Sequence, residues 1–247
     1  MRICIVIPAY NEERRIGGTL KEYAGALLKK YDGSVDLLVV SESTDDTDRI
    51  VKRFSKANDH IRLLSSGRRL NKGGAIIRGF RHACNSGYGI IGFADADLAL
   101  TSSQIIKMLD RLRKGSIDGV IASRYAKGSR IIGKQKLARY VASRAYNLMV
   151  RLLFGFRYSD TQCGYKFFMR RSLCRILGRL TLTDMSFDIN LLYELKMQRS
   201  NVVEMPIEYR MAYEGSTLRV RRQLPQMLAS TIGFRIERSP IGRMTQK

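Results

Sequence analysis

The stretch Gly89-Ile90-Ile91-Gly92-Phe93-Ala94-Asp95-Ala96-Asp97 decides how this chain is read. Its first six residues form a short apolar run of the kind that makes a buried strand, and two aspartates stand at its C-terminal end. Residues two apart on an extended chain point to the same side, so both carboxylates can reach one cation. A hard ion such as Mg2+ or Mn2+ takes oxygen ligands, often only one or two of them from protein and others from substrate phosphates. The C-terminal edge of the strands is also where open α/β sheets bind nucleotides. Asp-x-Asp is common, and the tripeptide alone reads better as a surface turn with two solvated acids; the remainder of the chain tips the balance to the metal–diphosphate reading.

Working outward, Arg2–Ile7 reads as a buried strand ended by Pro8, and Asn11 can cap a helix whose apolar face is Ile16, Leu20, Tyr23, Leu27 and Leu28. Asp36–Val40 is a second strand. Ser43 or Thr44 can cap the helix carrying Ile50, Val51 and Phe54. Ile61–Leu64 is a third strand, followed by a basic, glycine-containing loop and a helix with Ala75, Ile76, Phe80 and Ala83. After the fourth strand, Ser102 or Ser103 opens another helix and Gly119–Ser123 is a fifth strand. Connections this long exclude hairpins, so the first half predicts an α/β, Rossmann-like, mostly parallel twisted sheet with helices on both faces. The second half predicts a helix-rich region, with a long amphipathic helix at Gln135–Phe156 and a late strand at Val202–Tyr209. The expected division is one domain over 1–222, with halves at 1–125 and 126–222, and a basic, amphipathic extension at 223–247.

Composition narrows the chemistry. The 247 residues carry 44 Lys and Arg against 22 Asp and Glu, a net charge of +22, which favours polyanionic partners such as phosphorylated substrates, anionic lipid or nucleic acid. The basic residues are dispersed rather than gathered in a tail, and no nucleic-acid recognition motif is present, so no nucleic acid is expected. The cysteines, Cys4, Cys84, Cys163 and Cys174, lack zinc spacing, and His60 and His82 are the only histidines. Structural zinc and Ser-His or Cys-His nucleophiles are therefore disfavoured. Neither a Gly-x-Gly-x-x-Gly after the first strand nor a Walker lysine motif occurs, which disfavours dehydrogenases and P-loop kinases. No apolar run reaches about 18 residues, the usual minimum for a spanning helix. The expected place is the cytoplasm, peripheral on the cytosolic face of a membrane.

Four segments in order, Ile5–Glu13 (IVIPAYNEE), Ser43-Thr44-Asp45-Asp46-Thr47, Asn71-Lys72-Gly73-Gly74-Ala75 and Asp95-Ala96-Asp97-Leu98, resemble the inverting family 2 glycosyltransferases of the GT-A fold. Ser123-Arg124-Tyr125, Asp160-Thr161-Gln162-Cys163-Gly164-Tyr165-Lys166, Phe187–Tyr193 and Glu214-Gly215-Ser216 look like the polyprenyl-phosphate hexosyltransferases within it. The Asp-Thr-Gln-Cys-Gly run is most similar to dolichyl-phosphate β-glucosyltransferases, with dolichyl-phosphate mannose synthases as near relatives. Two departures stand out. Ser41-Glu42 replaces the usual Asp-Asp-Gly before the second-strand serine, and Ala99 stands where some mannose synthases carry a further metal ligand.

The resemblance implies roles. Pro8, Tyr10 and Glu12 would wrap the nucleotide, with Glu42 and Asp45 in the same pocket. Lys72 and Gly73 would meet the diphosphate near a helix N-terminus, a setting that suits anions. Asp95, Ala96 and Asp97 would hold the metal–diphosphate, with Asp95 and Asp97 as ligands of Mg2+ or Mn2+. Arg124, Arg139 and Ser143 would bind the acceptor phosphate, joined by Arg210 or Arg219; Asp160 and Gln162 would line the sugar pocket. Asp188 is either a sugar-pocket and catalytic acid or simply an acidic residue in a helix's first turn. The implied reaction is metal-dependent inverting transfer of a hexose, glucose from UDP-glucose first and mannose from GDP-mannose second, to dolichyl or another polyprenyl phosphate. Peripheral membrane contact through the basic surface accompanies it. A family 2 transferase using a soluble or polysaccharide acceptor is the alternative, and it needs a base, for which Asp188 is the candidate. A nucleic-acid-binding module is the alternative from a different class.

Overall fold

The structure is a computed structural model that describes residues 1–67, 69–133, 137–211 and 220–239. Nine strands are assigned among them: β1 (Ile3–Ala9), β2 (Val35–Ser41), β3 (Ile61–Ser65), β4 (Ile90–Ala94), β5 (Gly119–Ser123), β6 (Arg130–Ile132), β7 (Tyr165–Met169), β8 (Val202–Pro206) and β9 (Glu208–Arg210). The helices are α1 (Ile16–Tyr23, continued as a wider π turn through Leu28), α2 (Thr47–Ala57), α3 (Asn71–Asn85), α4 (Ser102–Arg113), α5 (Leu137–Phe154), α6 (Arg170–Ile176), α7 (Phe187–Met197) and α8 (Val220–Glu237).

Seven strands form one sheet in the order β3-β2-β1-β4-β7-β5-β8. All its pairings are parallel except those of β7, which runs antiparallel between β4 and β5. The mostly parallel, wound sheet expected from the strand–helix alternation is therefore present. The antiparallel β7 was not expected as a strand, because its five residues Tyr165–Met169 include a lysine. The late strand divides at Ile207 into β8 and β9, and β9 leaves the sheet to pair with β6.

Alternation along each strand separates two cores. Ile3, Ile5, Ile7, Leu37 and Val39 face one layer with residues of α1, α2 and α4. Cys4, Val6, Leu38 and Val40 face the other, with residues of α3, α5, α6, α7 and α8. Cys4 is the core thiol its strand position predicts, and burial pushes its pKa up to about 12. Phe80, Phe93 and Phe187, with ring centroids 6.1–6.2 Å apart, fasten α3 and α7 to β4. That cluster fixes where the first turns of both helices stand relative to the end of β4.

Several local expectations are corrected. Asn11 does not cap α1; it adopts a left-handed φ of 55°, and its side chain accepts from the Thr44 N–H. Asp45, not Ser43 or Thr44, accepts from Thr47 at the start of α2. β1 continues through Pro8 to Ala9. Cys84 and Cys174 form a disulfide between α3 and α6, a pairing their spacing did not announce.

Candidate active site

The order β2-β1-β4 places the switch in sheet direction between β1 and β4, and a crevice opens outside the carboxyl ends of such strands. The loops after β1, β2, β4 and β5 all end at this edge, and so does the segment entering β7. Tyr10, Glu42, Asp95 and Arg124 thus come from four separate strands.

The turn after β4 is held at several points. The Asp95 N–H donates to Gly164 O at 3.0 Å, Thr19 Oγ1 donates to Ala96 O at 2.7 Å, and the Arg210 N–H donates to Ala99 O at 2.9 Å. Asp97 Oδ1 accepts from the Ala99 N–H at 3.1 Å and from Tyr165 Oη at 3.1 Å. Leu98 has a φ of 54°, a left-handed conformation that a leucine adopts only when its surroundings impose it. Burial first, and the charge of Asp95 second, push the Asp97 carboxyl above the ordinary aspartate range.

Gly164, the residue before β7, governs this geometry. A Cβ there would lie 1.8 Å from Asp95 Oδ2, so no side chain fits while Asp95 stays in place. On the other side, Lys72 Nζ sits 2.6 Å from Asp95 Oδ1. Burial opposes the Lys72 charge, but Asp95, Asp188 and Asp97 outweigh it and raise its pKa. Lys72 and Gly73 lie in the first turn of α3, the helix N-terminus they were expected to stand near. Gly73 is there for packing: an added Cβ would come within 2.5 Å of Phe187 Cβ. The Gly74 N–H is already taken by Thr183 O.

Two buried ion pairs complete the floor. Arg124 Nε and Nη2 donate to the two oxygens of Asp160 at 2.7 and 2.9 Å, and its backbone N–H also reaches Asp160. Burial works against the Asp160 charge, and Arg124 overcomes it, holding the carboxyl below its usual value. Lys166, fully buried, donates to Asp188 Oδ1 at 2.5 Å and to Cys163 O at 2.6 Å. Burial pushes the Asp188 carboxyl up against the pull of Lys166. Gln162 donates its backbone N–H to Asp160 Oδ1 and leaves a buried Nε2 without a hydrogen-bond partner.

The nucleotide-side residues are also engaged. Glu12 is held by Arg15 at 2.6 Å through both oxygens. Glu42 accepts from the Leu70 N–H, and Arg69 lies over the Tyr10 ring at 4.7 Å. Asp45 bonds Thr47 and the Glu13 N–H. Ser143 bonds Tyr125 Oη at 2.9 Å, and Arg210 is an exposed side chain 3.6 Å from Glu208. The Arg139 side chain, Glu214–Ser216 and Arg219 lie outside the described residues.

The structure therefore gathers the sequence-derived residues at one edge, but it pairs several of them with each other. Arg124 and Asp160, assigned to different subsites, are partners. Gly164, Tyr165 and Lys166 position the site and were not singled out as site residues. A lysine between Tyr165 and Phe167-Phe168 was the available signal, because a charge inside an apolar strand needs a buried counter-charge.

Among the described residues no group of three or more His, Cys, Asp or Glu is arranged to hold a metal. The Asp95–Asp97 pair still fits a hard divalent ion that completes its shell with substrate oxygens. Both are oxygen donors on one turn, and a cation, Lys72 Nζ, already rests against Asp95.

The model of the family described as "Glycosyl transferase family 2" matches residues 4–177. The chain is 30% identical over 211 residues to glycosyltransferase AglD of Haloferax volcanii, covering 85% of this chain and 33% of that protein. It is 30% identical over 225 residues to the dolichyl-phosphate β-glucosyltransferase of Saccharomyces cerevisiae, covering 84% and 66%. It is 26% identical to the undecaprenyl-phosphate mannosyltransferase of Micrococcus luteus, covering 85% and 84%. The chain thus spans a third of the first relative and about two thirds of the second. Among solved structures, glucosyl-3-phosphoglycerate synthase from Mycobacterium tuberculosis superposes with a TM-score of 0.68 at 21% identity, over 96% of this chain and 79% of that one. The fold is the GT-A fold, and the chain is a glycosyltransferase belonging to family 2.

Proposed function

We propose that this chain transfers a hexose, glucose from UDP-glucose in the first instance, to a polyprenyl phosphate such as dolichyl phosphate, with inversion at the anomeric carbon. The observation that carries the reading is the state of the acidic residues around the crevice. A sugar hydroxyl needs a base to deprotonate it. Asp188, the candidate for that role, is occupied by Lys166 Nζ at 2.5 Å, and Asp160 is occupied by Arg124. His60 is bound to Asp36, at the start of β2, away from the crevice. A phosphate acceptor is already ionised at neutral pH and needs no such base. It needs cations that hold it in line with the anomeric carbon; Arg124, whose Nη1 takes no part in the pair with Asp160, and Arg210 on β9 beside the Asp97–Ala99 turn supply them.

In this reading Tyr10, Glu12, Glu42 and Asp45 bound the nucleotide pocket, and Pro8 directs the loop that carries Tyr10. Lys72 leaves Asp95 for the diphosphate as the donor binds, and Gly73 lets α3 approach α7 closely enough to put Lys72 there. Asp95 and Asp97 would hold Mg2+ or Mn2+, which neutralises charge on the departing nucleoside diphosphate. The Gln162 amide, a donor without a partner, offers a hydrogen bond to a sugar hydroxyl. Names among the relatives support a lipid-phosphate acceptor, both glucosyl and mannosyl transferases occurring there. Solved neighbours carry Mn2+ with UDP-glucose. No helix among the described residues is long and apolar enough to cross a membrane. The chain works peripherally at the cytosolic face of one.

The test supplies dolichyl phosphate and Mn2+ with labelled UDP-glucose or GDP-mannose in parallel and extracts the lipid. Lipid-borne label from one donor supports the reading and names the sugar. Label found only in a water-soluble product, with a soluble acceptor supplied, overturns the acceptor assignment.

A further inference from the structure

The first residue of β7 decides which oxygen of Asp97 is left for a ligand. Tyr165 is fully buried in the core and pairs with Ala94, the residue before Asp95. A phenylalanine would fill the same core space, so the hydroxyl answers to something other than packing. Tyr165 Oη accepts from the Leu100 N–H at 3.3 Å, and its single proton goes to Asp97 Oδ1 at 3.1 Å. The Ala99 N–H donates to that same oxygen at 3.1 Å. Two donors take up both lone pairs of one carboxylate oxygen. Asp97 Oδ2 accepts no hydrogen bond among the described residues.

A carboxylate held in this way discriminates between ions. Mg2+ and Mn2+ suit octahedral oxygen coordination, take one oxygen from a carboxylate, and leave the rest of the shell to phosphates and water. Ca2+ is larger, takes about six to eight oxygens, and readily uses both oxygens of one carboxylate. Oδ1, with both lone pairs engaged, is withheld from that second bond. Hydrogen bonds behind a ligating carboxylate are a general means of fixing its orientation.

We propose that the Tyr165 hydroxyl is a positioning group that makes Asp97 a one-oxygen ligand, and that it thereby sets a preference for Mn2+ or Mg2+ over Ca2+ at the Asp95–Asp97 turn. This deepens the proposed function and rests on its placement of the ion. Gly164 leaves room for Asp95 and Tyr165 orients Asp97, so the dipeptide that enters β7 arranges both acids. Tyr23 provides the comparison. It is equally buried, and its Oη donates to Leu100 O at 2.9 Å rather than to an aspartate.

The test is metal binding by the whole chain, with neither sugar nor lipid present, so its outcome is independent of the donor and acceptor assignments. Electron paramagnetic resonance reads free Mn2+, and added Ca2+ competes for the site. Tyr165→Phe keeps the ring and removes the hydroxyl. It is expected to weaken Mn2+ binding by about 10- to 100-fold, the usual cost of losing a group that orients a metal ligand. Ca2+ binding is expected to weaken less, so that the preference for Mn2+ narrows by about tenfold. Tyr23→Phe is expected to lower thermal stability and leave the ratio of the two affinities unchanged. Asp97→Ala is expected to lose Mn2+ binding, with circular dichroism showing that each variant is folded. Loss of binding in Asp97→Ala beside a native Mn2+ affinity or a native ratio in Tyr165→Phe would overturn this inference and leave the placement of the ion standing. A ratio that shifts equally in Tyr23→Phe would make Tyr165 an ordinary core hydroxyl and overturn it as well. Mn2+ binding that survives Asp97→Ala would overturn the placement of the ion and the inference with it.

Discussion

Replacing Gly164 by alanine adds one carbon in the most constrained place near the candidate metal site. That carbon would lie 1.8 Å from Asp95 Oδ2, 2.2 Å from its Cγ and 2.6 Å from Oδ1. Ordinary contact begins near 3.4 Å, so the carboxylate has to retreat by about 1.6 Å. The Asp95 main chain cannot follow, because its N–H is bonded to Gly164 O and Ala94 is paired with Tyr165. The side chain must rotate instead, and it then loses both Lys72 and its place beside Asp97. A displacement of about 1 Å from productive geometry costs on the order of 100-fold in rate, equivalent to about 2.7 kcal/mol of transition-state stabilisation. Gly164→Ala is therefore expected to lower kcat/KM by about 100-fold or more, and to weaken Mn2+-dependent UDP binding measured by calorimetry. Overpacking of this kind costs stability by about 1–3 kcal/mol, which leaves the variant folded. The control is Gly18→Ala, where an added Cβ meets nothing within 4 Å. Its activity should be unchanged and its stability slightly raised. A Gly164→Ala enzyme with native turnover and native metal-dependent nucleotide affinity would refute the placement of Asp95 in the site.

Lys72→Met removes the cation that rests on Asp95, so Mn2+ affinity measured without nucleotide should rise by about tenfold, the worth of one charge-assisted hydrogen bond, while UDP affinity falls. Electron paramagnetic resonance of free Mn2+ reads the first change and calorimetry the second. Asp36 is buried and accepts from Tyr88, His60 and Arg2; burial alone would raise its pKa, and those bonds together lower it. Its stabilisation is therefore complete above the unfolded value of about 3.9 and is lost as pH falls through the lower folded value. Asp36→Asn should cost about 1.5–3 kcal/mol at neutral pH, with the difference from wild type shrinking in acid urea titrations. Reducing the Cys84–Cys174 disulfide, which closes a separation of 90 residues, should lower stability by about 2–4 kcal/mol. Cys84→Ser should reproduce that loss and be insensitive to reductant.

The wound sheet was legible because its strands are short apolar runs with turn signals and its helices carry one apolar face. Those patterns are local, and β1 to β5 lie within two residues of where they were expected. β7 was hidden because Lys166 interrupts its apolar pattern, and Lys166 is tolerable only through Asp188, twenty-two residues later. The helix starts were misread for a similar reason: Asn11 and Ser43 look like caps, but they bond each other's loops across thirty-two residues or more. The positions gathered at the carboxyl edge followed from motif order. Which of them pair, Arg124 with Asp160 and Lys72 with Asp95, depends on distances between strands that no spacing along the chain encodes.

The account rests most heavily on the Asp95–Asp97 turn serving transfer to a lipid phosphate. The direct measurement is formation of lipid-linked hexose from labelled UDP-glucose and dolichyl phosphate by wild type and Asp97→Ala, each with Mn2+ and with excess chelator. The account predicts lipid-extractable label from the wild type with Mn2+ alone, and its loss in both the chelated sample and the folded variant. Undiminished label from Asp97→Ala, or label that ignores the chelator, would contradict it.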